Sequence, residues 1–94
     1  MASGVTTTSV SGDGAVPVGP DGQQTLYGLT FHSPAFAGQL SVREGDASGR
    51  VLDVVRVAID GQVTHWFGPQ GLRVDGDIFV DTNHAFTATH VMHG

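Results

Sequence analysis

The sequence predicts an all-β domain, a compact β-sandwich or jelly-roll-like fold of about seven to eight short strands with an extended N-terminal arm. Three observations carry this. Apolar and polar residues alternate with a period of two in short segments. Glycine-marked turns separate those segments at the spacing of sandwich strands. No stretch has a useful helical period, and a parallel sheet would need crossover helices.

Residues 3–11 are rich in Thr, Ser and Val, whose β-branched members favour an extended chain. Gly4 and the lack of large apolar groups make this an arm or an edge strand. Ser11-Gly12-Asp13-Gly14 and Gly19-Pro20-Asp21-Gly22 read as turns, and Pro17 and Pro20 keep the intervening segment out of a central strand. The arm and its turns occupy residues 1–24, and the sandwich core residues 25–94. Residues 25–32 form the first core strand, with Tyr27, Leu29 and Phe31 on one face and Leu26, Gly28 and Thr30 on the other. A connection over residues 33–38 leads to a strand over 39–44, where Leu40 and Val42 share a face and Ser41 and Arg43 point away. Residues 45–49 are a loop.

Residues 50–59 carry apolar groups on both faces. Either a neighbouring subunit covers the second face, or a bulge near Asp53 shifts the alternation. Asp60-Gly61 is a hairpin turn into residues 62–67, which set Val63, His65 and Phe67 against Thr64 and Trp66. In the turn Gly68-Pro69-Gln70-Gly71, Pro69 supplies a fixed φ and Gly71 a left-handed position. Leu72 and Val74 form a short strand before Asp75-Gly76-Asp77. Ile78 and Val80 then alternate with Phe79 and Asp81, and Asn83-His84 turns the chain. A final strand places Phe86, Ala88, His90 and Met92 on one face.

The 94 residues suffice for one domain. A chain this short buries about 65% of the surface it exposes when unfolded. With no cysteine there is no disulfide framework to supplement the core, which favours a homo-oligomer. The formal charge of -5 comes from eight aspartates and one glutamate against four scattered arginines and no lysine. That balance disfavours nucleic acid and anionic membranes as partners. The first residues have no basic region followed by an apolar run, and residues 51–59 are too short and too charged to span a bilayer. Synthesis in the cytoplasm is the expectation.

Candidate chemistry is sparse. His90 and His93, three apart on a strand, point to opposite faces, and no spacing brings His32, His65 and His84 together. Zinc prefers three or four convergent ligands, so no metal is expected. Asp75, Asp77 and Asp81 lack the register of a calcium loop, and Asp13 and Asp21 fit turn roles. There is no nucleophile elbow, phosphate-binding glycine loop or nominated carboxylate pair, so neither enzymatic activity nor a cofactor is expected. An enzyme would need a pocket uniting at least two of His32, His65, His84, His90 and the Asp75 to Asp81 group. Trp66 is the only tryptophan among seven aromatic residues. A small sandwich needs most of these for packing, with either Trp66 or Phe67 in the core and the other sealing the turn or a subunit seam. The competing reading exposes an aromatic as a sugar platform.

The segments Leu26-Tyr27-Gly28-Leu29, Arg43-Glu44-Gly45-Asp46-Ala47-Ser48-Gly49, Trp66-Phe67-Gly68-Pro69-Gln70-Gly71-Leu72 and Gly76-Asp77-Ile78-Phe79-Val80-Asp81 cover most of residues 25–82. In them the chain resembles the small β-sandwich decoration, or cement, proteins on the capsids of tailed bacteriophages. The resemblance implies a homotrimer bound to major capsid protein at threefold positions of the outer virion surface. It also implies that the arm lies against capsid protein or a neighbouring subunit. The histidine-bearing final strand has no counterpart in it. Residues singled out for assembly or packing are Val5, Thr7, Val10, Tyr27, Val54, Arg56, Trp66, Phe67, Pro69 and Leu72. The alternatives are another phage head-fibre or tail component, or a small carbohydrate-binding module using Trp66 or Tyr27 on a glycan or host surface.

Overall fold

The computed structural model describes residues 5–19, 22–84 and 87–94. Residues 2–4 of the expected arm, Pro20 and Asp21 of the second turn, and Phe86 of the final strand lie outside them. Among the described residues nine strands follow one another: β1 (Thr6–Ser11), β2 (Gly14–Val16), β3 (Gln23–Ser33), β4 (Gly38–Glu44), β5 (Val51–Val57), β6 (Gly61–Trp66), β7 (Leu72–Asp75), β8 (Ile78–Thr82) and β9 (Ala88–His93). One sheet has the order β1-β9-β3-β6, with β7 also paired to β3, and the other the order β2-β8-β4-β5. The expectation of about seven to eight strands missed β2, three residues between two turns. It pairs with β8 and drives Val16 into the core.

The pairing is nested. β4 pairs with β5, β3 with β6 and β7, β2 with β8, and β1 with β9, all antiparallel. The chain is thus one long double ribbon bent back at the β4–β5 loop, with successive levels assigned to opposite sheets.

Between the sheets lie Val10, Val16, Leu26, Leu29, Phe31, Leu40, Val42, Val55, Val74, Ile78, Val80 and Val91, most of them fully buried. Burying each such side chain contributes roughly 1.5–3 kcal/mol. In β4 and β8 the alternation is as expected, with Leu40, Val42, Ile78 and Val80 inside and Ser41, Arg43, Phe79 and Asp81 less buried.

The first core strand departs from its expected facing. Tyr27 does not share a face with Leu29 and Phe31. Against β9 the register passes from Leu26↔His93 to Gly28↔Met92, so Tyr27 is an extra residue and the alternation changes phase there. Leu26, Leu29 and Phe31 are fully buried together, while Tyr27 is half-buried.

The Gly/Pro turn also differs in role. Trp66 lies opposite Gly28 and Leu72 opposite Leu26, and the Phe67 amide still donates to the Tyr27 carbonyl (2.9 Å), so residues 68–71 leave the sheet opposite Tyr27. Because β6 and β7 both run antiparallel to β3, the turn is an outward excursion that does not reverse the chain. It closes with the Gly71 amide donating to the Gly68 carbonyl (3.2 Å). Gly71 has φ 65°, and a Cβ there would lie 2.8 Å from the Leu26 carbonyl oxygen. Asp60-Gly61 likewise turns the chain, with Gly61 N donating to Ala58 O at 2.8 Å, but it carries β5 of one sheet into β6 of the other. The expected hairpin is therefore a crossing between sheets.

In β5 the register jumps from Val42↔Asp53 to Arg43↔Val51, making Leu52 the extra residue. The bulge directs Asp53 and Val55 inward. Val51 and Val54 remain outward and 44% and 42% exposed, so the bulge does not hide the second apolar face.

Candidate interaction surface

The outer face of the five-stranded sheet is built from three rows set by strand register. Thr7, Met92, Gly28 and Trp66 form one row; Ser9, His90, Thr30 and Thr64 the next; Ser11, Ala88, His32 and Gln62 the third. Rows on one face lie two residues apart along each strand, about 7 Å.

Trp66 is 56% exposed, so of the two aromatics it is Phe67 that packs against the core. The indole can approach the strand opposite because its cross-strand partner is glycine. A Cβ on Gly28 would stand 3.0 Å from Trp66 Cε3 and 3.2 Å from Met92 Cε. The six-membered ring, through Cε3, therefore lies against Gly28, while more than half of the residue is exposed to water. Tyr27, turned outward by its bulge, stands beside it with ring centroids 6.5 Å apart and planes 23° from parallel.

The polar rows are tied internally. Ser9 Oγ and His90 Nδ1 share a hydrogen bond of 2.8 Å, and the Thr30 and Thr64 hydroxyls one of 3.0 Å. His32 Nε2 is 3.4 Å from Asp60 Oδ1 at the rim. No lysine, arginine or carboxylate stands within the three rows. Arg73 and Asp75 lie further along, on β7.

The outer face of the four-stranded sheet differs. Ala15, Phe79, Arg43 and Val51 form one row, and Asp81, Ser41 and Val54 the next. Arg43 Nε lies 3.5 Å from Asp81 Oδ2, and Arg56 Nε donates to Gln39 Oε1 at 3.4 Å. Apolar Val51 and Val54 thus sit at edge strand β5 beside compensated charges.

Between the sheets, at the open edge where β5 faces β6, His65 Nδ1 and Asp53 Oδ2 meet at 2.7 Å. Their positions follow from Leu29↔His65 and Val42↔Asp53, both pairs being on inner faces. His93 Nε2 shares a 2.7 Å hydrogen bond with Thr8 Oγ1, and burial of the ring holds its pKa below the ordinary imidazole value. Glu44 is held below the usual carboxyl range chiefly because its carboxylate accepts the Asp75 amide (2.9 Å). Arg50, 3.5 Å away, adds to this, and partial desolvation opposes it.

No family model, curated protein or solved structure matches this chain.

Among the described residues no three His, Cys, Asp or Glu side chains gather as a metal site. His84 stacks on Phe36, with centroids 4.1 Å apart, and so is remote in kind from the His65–Asp53 pair. Of the main depressions, the one beside the β3–β7 pair is lined by Gln23, Gln24, Gln70 and Arg73, and another holds His84 with Asp13. Neither combines two of the groups that the enzyme reading required.

The ten residues singled out from sequence divide into three sets. Thr7, Tyr27 and Trp66 share the outer face of the five-stranded sheet. Val54 and Arg56 lie on the opposite outer face. Val10 belongs to the core, and Phe67 and Leu72 pack against it. Val5 and Pro69 are exposed, before β1 and in the 68–71 turn. Sequence reasoning missed Gly28, Met92 and the His65–Asp53 pair. Gly28 carried a signal, since a lone glycine inside a strand marks a bulge or a close approach.

Proposed function

We propose that the chain is a non-enzymatic virion structural protein, a capsid decoration protein bound as a homotrimer to major capsid protein on the outer surface of a tailed phage head. The nested strand order, β1-β9-β3-β6 over β2-β8-β4-β5, supports reading the sandwich as a jelly roll, an architecture used by viral shell proteins and lectins. Architecture does not by itself assign function.

The observation that carries the reading is the pair Val51 and Val54, outward and over 40% exposed despite the bulge in their strand. A second copy covering β5 and its neighbours removes that surface from water. A standard interface takes roughly 800 Å² from each partner. The chain exposes 5193 Å², so two such contacts per subunit are geometrically affordable. Three linked copies also multiply modest contacts with a shell. The acidic balance of the chain leaves packaged DNA without attraction for it.

Light scattering on the purified chain and co-sedimentation with undecorated phage heads test this. A mass of three chains and retention by heads are expected, with Val54→Asp reducing both while the unfolding midpoint stays close to wild type. A single-chain mass at the highest soluble concentration, together with no retention, overturns it.

A further inference from the structure

We propose that the outer face of the five-stranded sheet is a binding site for neutral saccharides, with the Trp66 and Tyr27 rings as platform and the Thr30–Thr64 and His90 row as hydrogen-bonding flank. This inference stands on a different face from the assembly reading and does not depend on it.

Three observations select this ligand class. First, the indole lies against Gly28, is more than half exposed, and has Tyr27 nearly parallel beside it. Axial C–H groups of a pyranose ring carry partial positive charge and meet the electron-rich face of such a ring favourably. Second, the row about 7 Å away presents hydroxyl and imidazole groups, each able to donate or accept, as sugar hydroxyls require. Third, the three rows hold no lysine, arginine or carboxylate, so this part of the face complements an uncharged ligand, and Arg73, beyond Tyr27 on β7, lies 3.8 Å from the Asp75 carboxylate. A protein partner would use the exposed tryptophan equally well. However, it would meet a flank of small polar groups with Met92 as the main other apolar neighbour, which is a poor centre for a dry interface.

The placement also has a purely structural reading, in which the indole merely covers a strand glycine. The experiment separates the two. The full chain is applied to an array bearing neutral and acidic oligosaccharides, including hexamers of β-1,4-linked glucose and N-acetylglucosamine. Retained sugars are titrated by calorimetry and by the emission of Trp66, the single tryptophan. Neutral pyranose oligosaccharides are expected to bind saturably and to perturb that emission. Trp66→Ala should weaken binding about tenfold or more. Thr30→Val, which keeps the platform and the fold, should weaken it less. Val54→Asp, on the far face, should leave it unchanged while disrupting assembly, so failure of one proposal is distinguishable from failure of the other. An array that retains nothing, retention of acidic sugars alone, or undiminished binding by a folded Trp66→Ala variant overturns the inference.

Discussion

Gly28→Ala is a sign test of the geometry around the tryptophan. Gly28 does not have a positive φ, so alanine's backbone preferences are satisfied there. In an ordinary strand interior the exchange gains roughly 0.5–1 kcal/mol, because glycine loses more freedom on folding. Here the new methyl group would sit 2.7 Å from the His65 carbonyl oxygen, 3.0 Å from Trp66 Cε3 and 3.2 Å from Met92 Cε. The Met92 end can swing aside, but the His65 oxygen belongs to the paired backbone of β6. Such overpacking costs about 1–3 kcal/mol. The net expectation is a loss of roughly 0.5–2 kcal/mol. Each 1 kcal/mol lowers Tm by about 4–8 °C in a domain of this size. Urea unfolding followed by far-UV dichroism measures the loss, and the emission of native Trp66 should change because the ring must lift. A raised midpoint with unaltered emission would show that the indole does not cover Gly28, and the platform argument would fall with it.

Further outcomes follow from other contacts. Leu40→Ala, at a fully buried site, should cost about 2–5 kcal/mol in chemical denaturation, a large part of the roughly 5–14 kcal/mol available to such a domain. Asp53→Ala and His65→Ala should each cost about 1 kcal/mol, discounted for partial exposure, and a double-mutant cycle should return a coupling of about 0.5–1 kcal/mol. Additive losses would mean that the 2.7 Å contact is idle. His93, whose cation is disfavoured by burial, titrates below its unfolded value of 6.5. The unfolded chain therefore takes up the proton first, and stability should decline as pH falls below that value, having been constant above it. Unfolding curves between about pH 8 and pH 5, repeated on His93→Gln, isolate that share. Glu44 acts at lower pH: its depressed pKa contributes stability above 4.5 that is lost as the carboxylate protonates, and Glu44→Gln should flatten the acid limb of the profile.

Much of the sandwich was readable from local alternation. Leu40 with Val42, Ile78 with Val80, and Trp66 opposed to Val63 and His65 take the faces that a period of two assigns. The reason is that each of these strands has one clearly apolar side. The facing of Tyr27 was not readable, because Leu26 and Tyr27 are both apolar and either phase satisfies the local pattern. Only the pairing with β9 and the departure of residues 68–71 select Leu26 for the interior. The bulge at Leu52 was one of two readings for the same reason, and the exposed Val51 and Val54 retain the other as a question about neighbours. The outer rows were illegible for a different reason. Thr7, Met92, Gly28 and Trp66 come together only through three separate strand registers, and no spacing along the chain encodes that.

The closure of the ribbon by β1 against β9 bears on synthesis. Thr6–Ser11 is made before the other strands, yet its six-residue ladder has no partner until residues 88–93 emerge. The β4–β5 hairpin is the one level whose two strands are consecutive, which makes it the natural first step. Each later level must close a longer loop. A nascent chain therefore carries a Thr-rich edge without its match until β9 has been made.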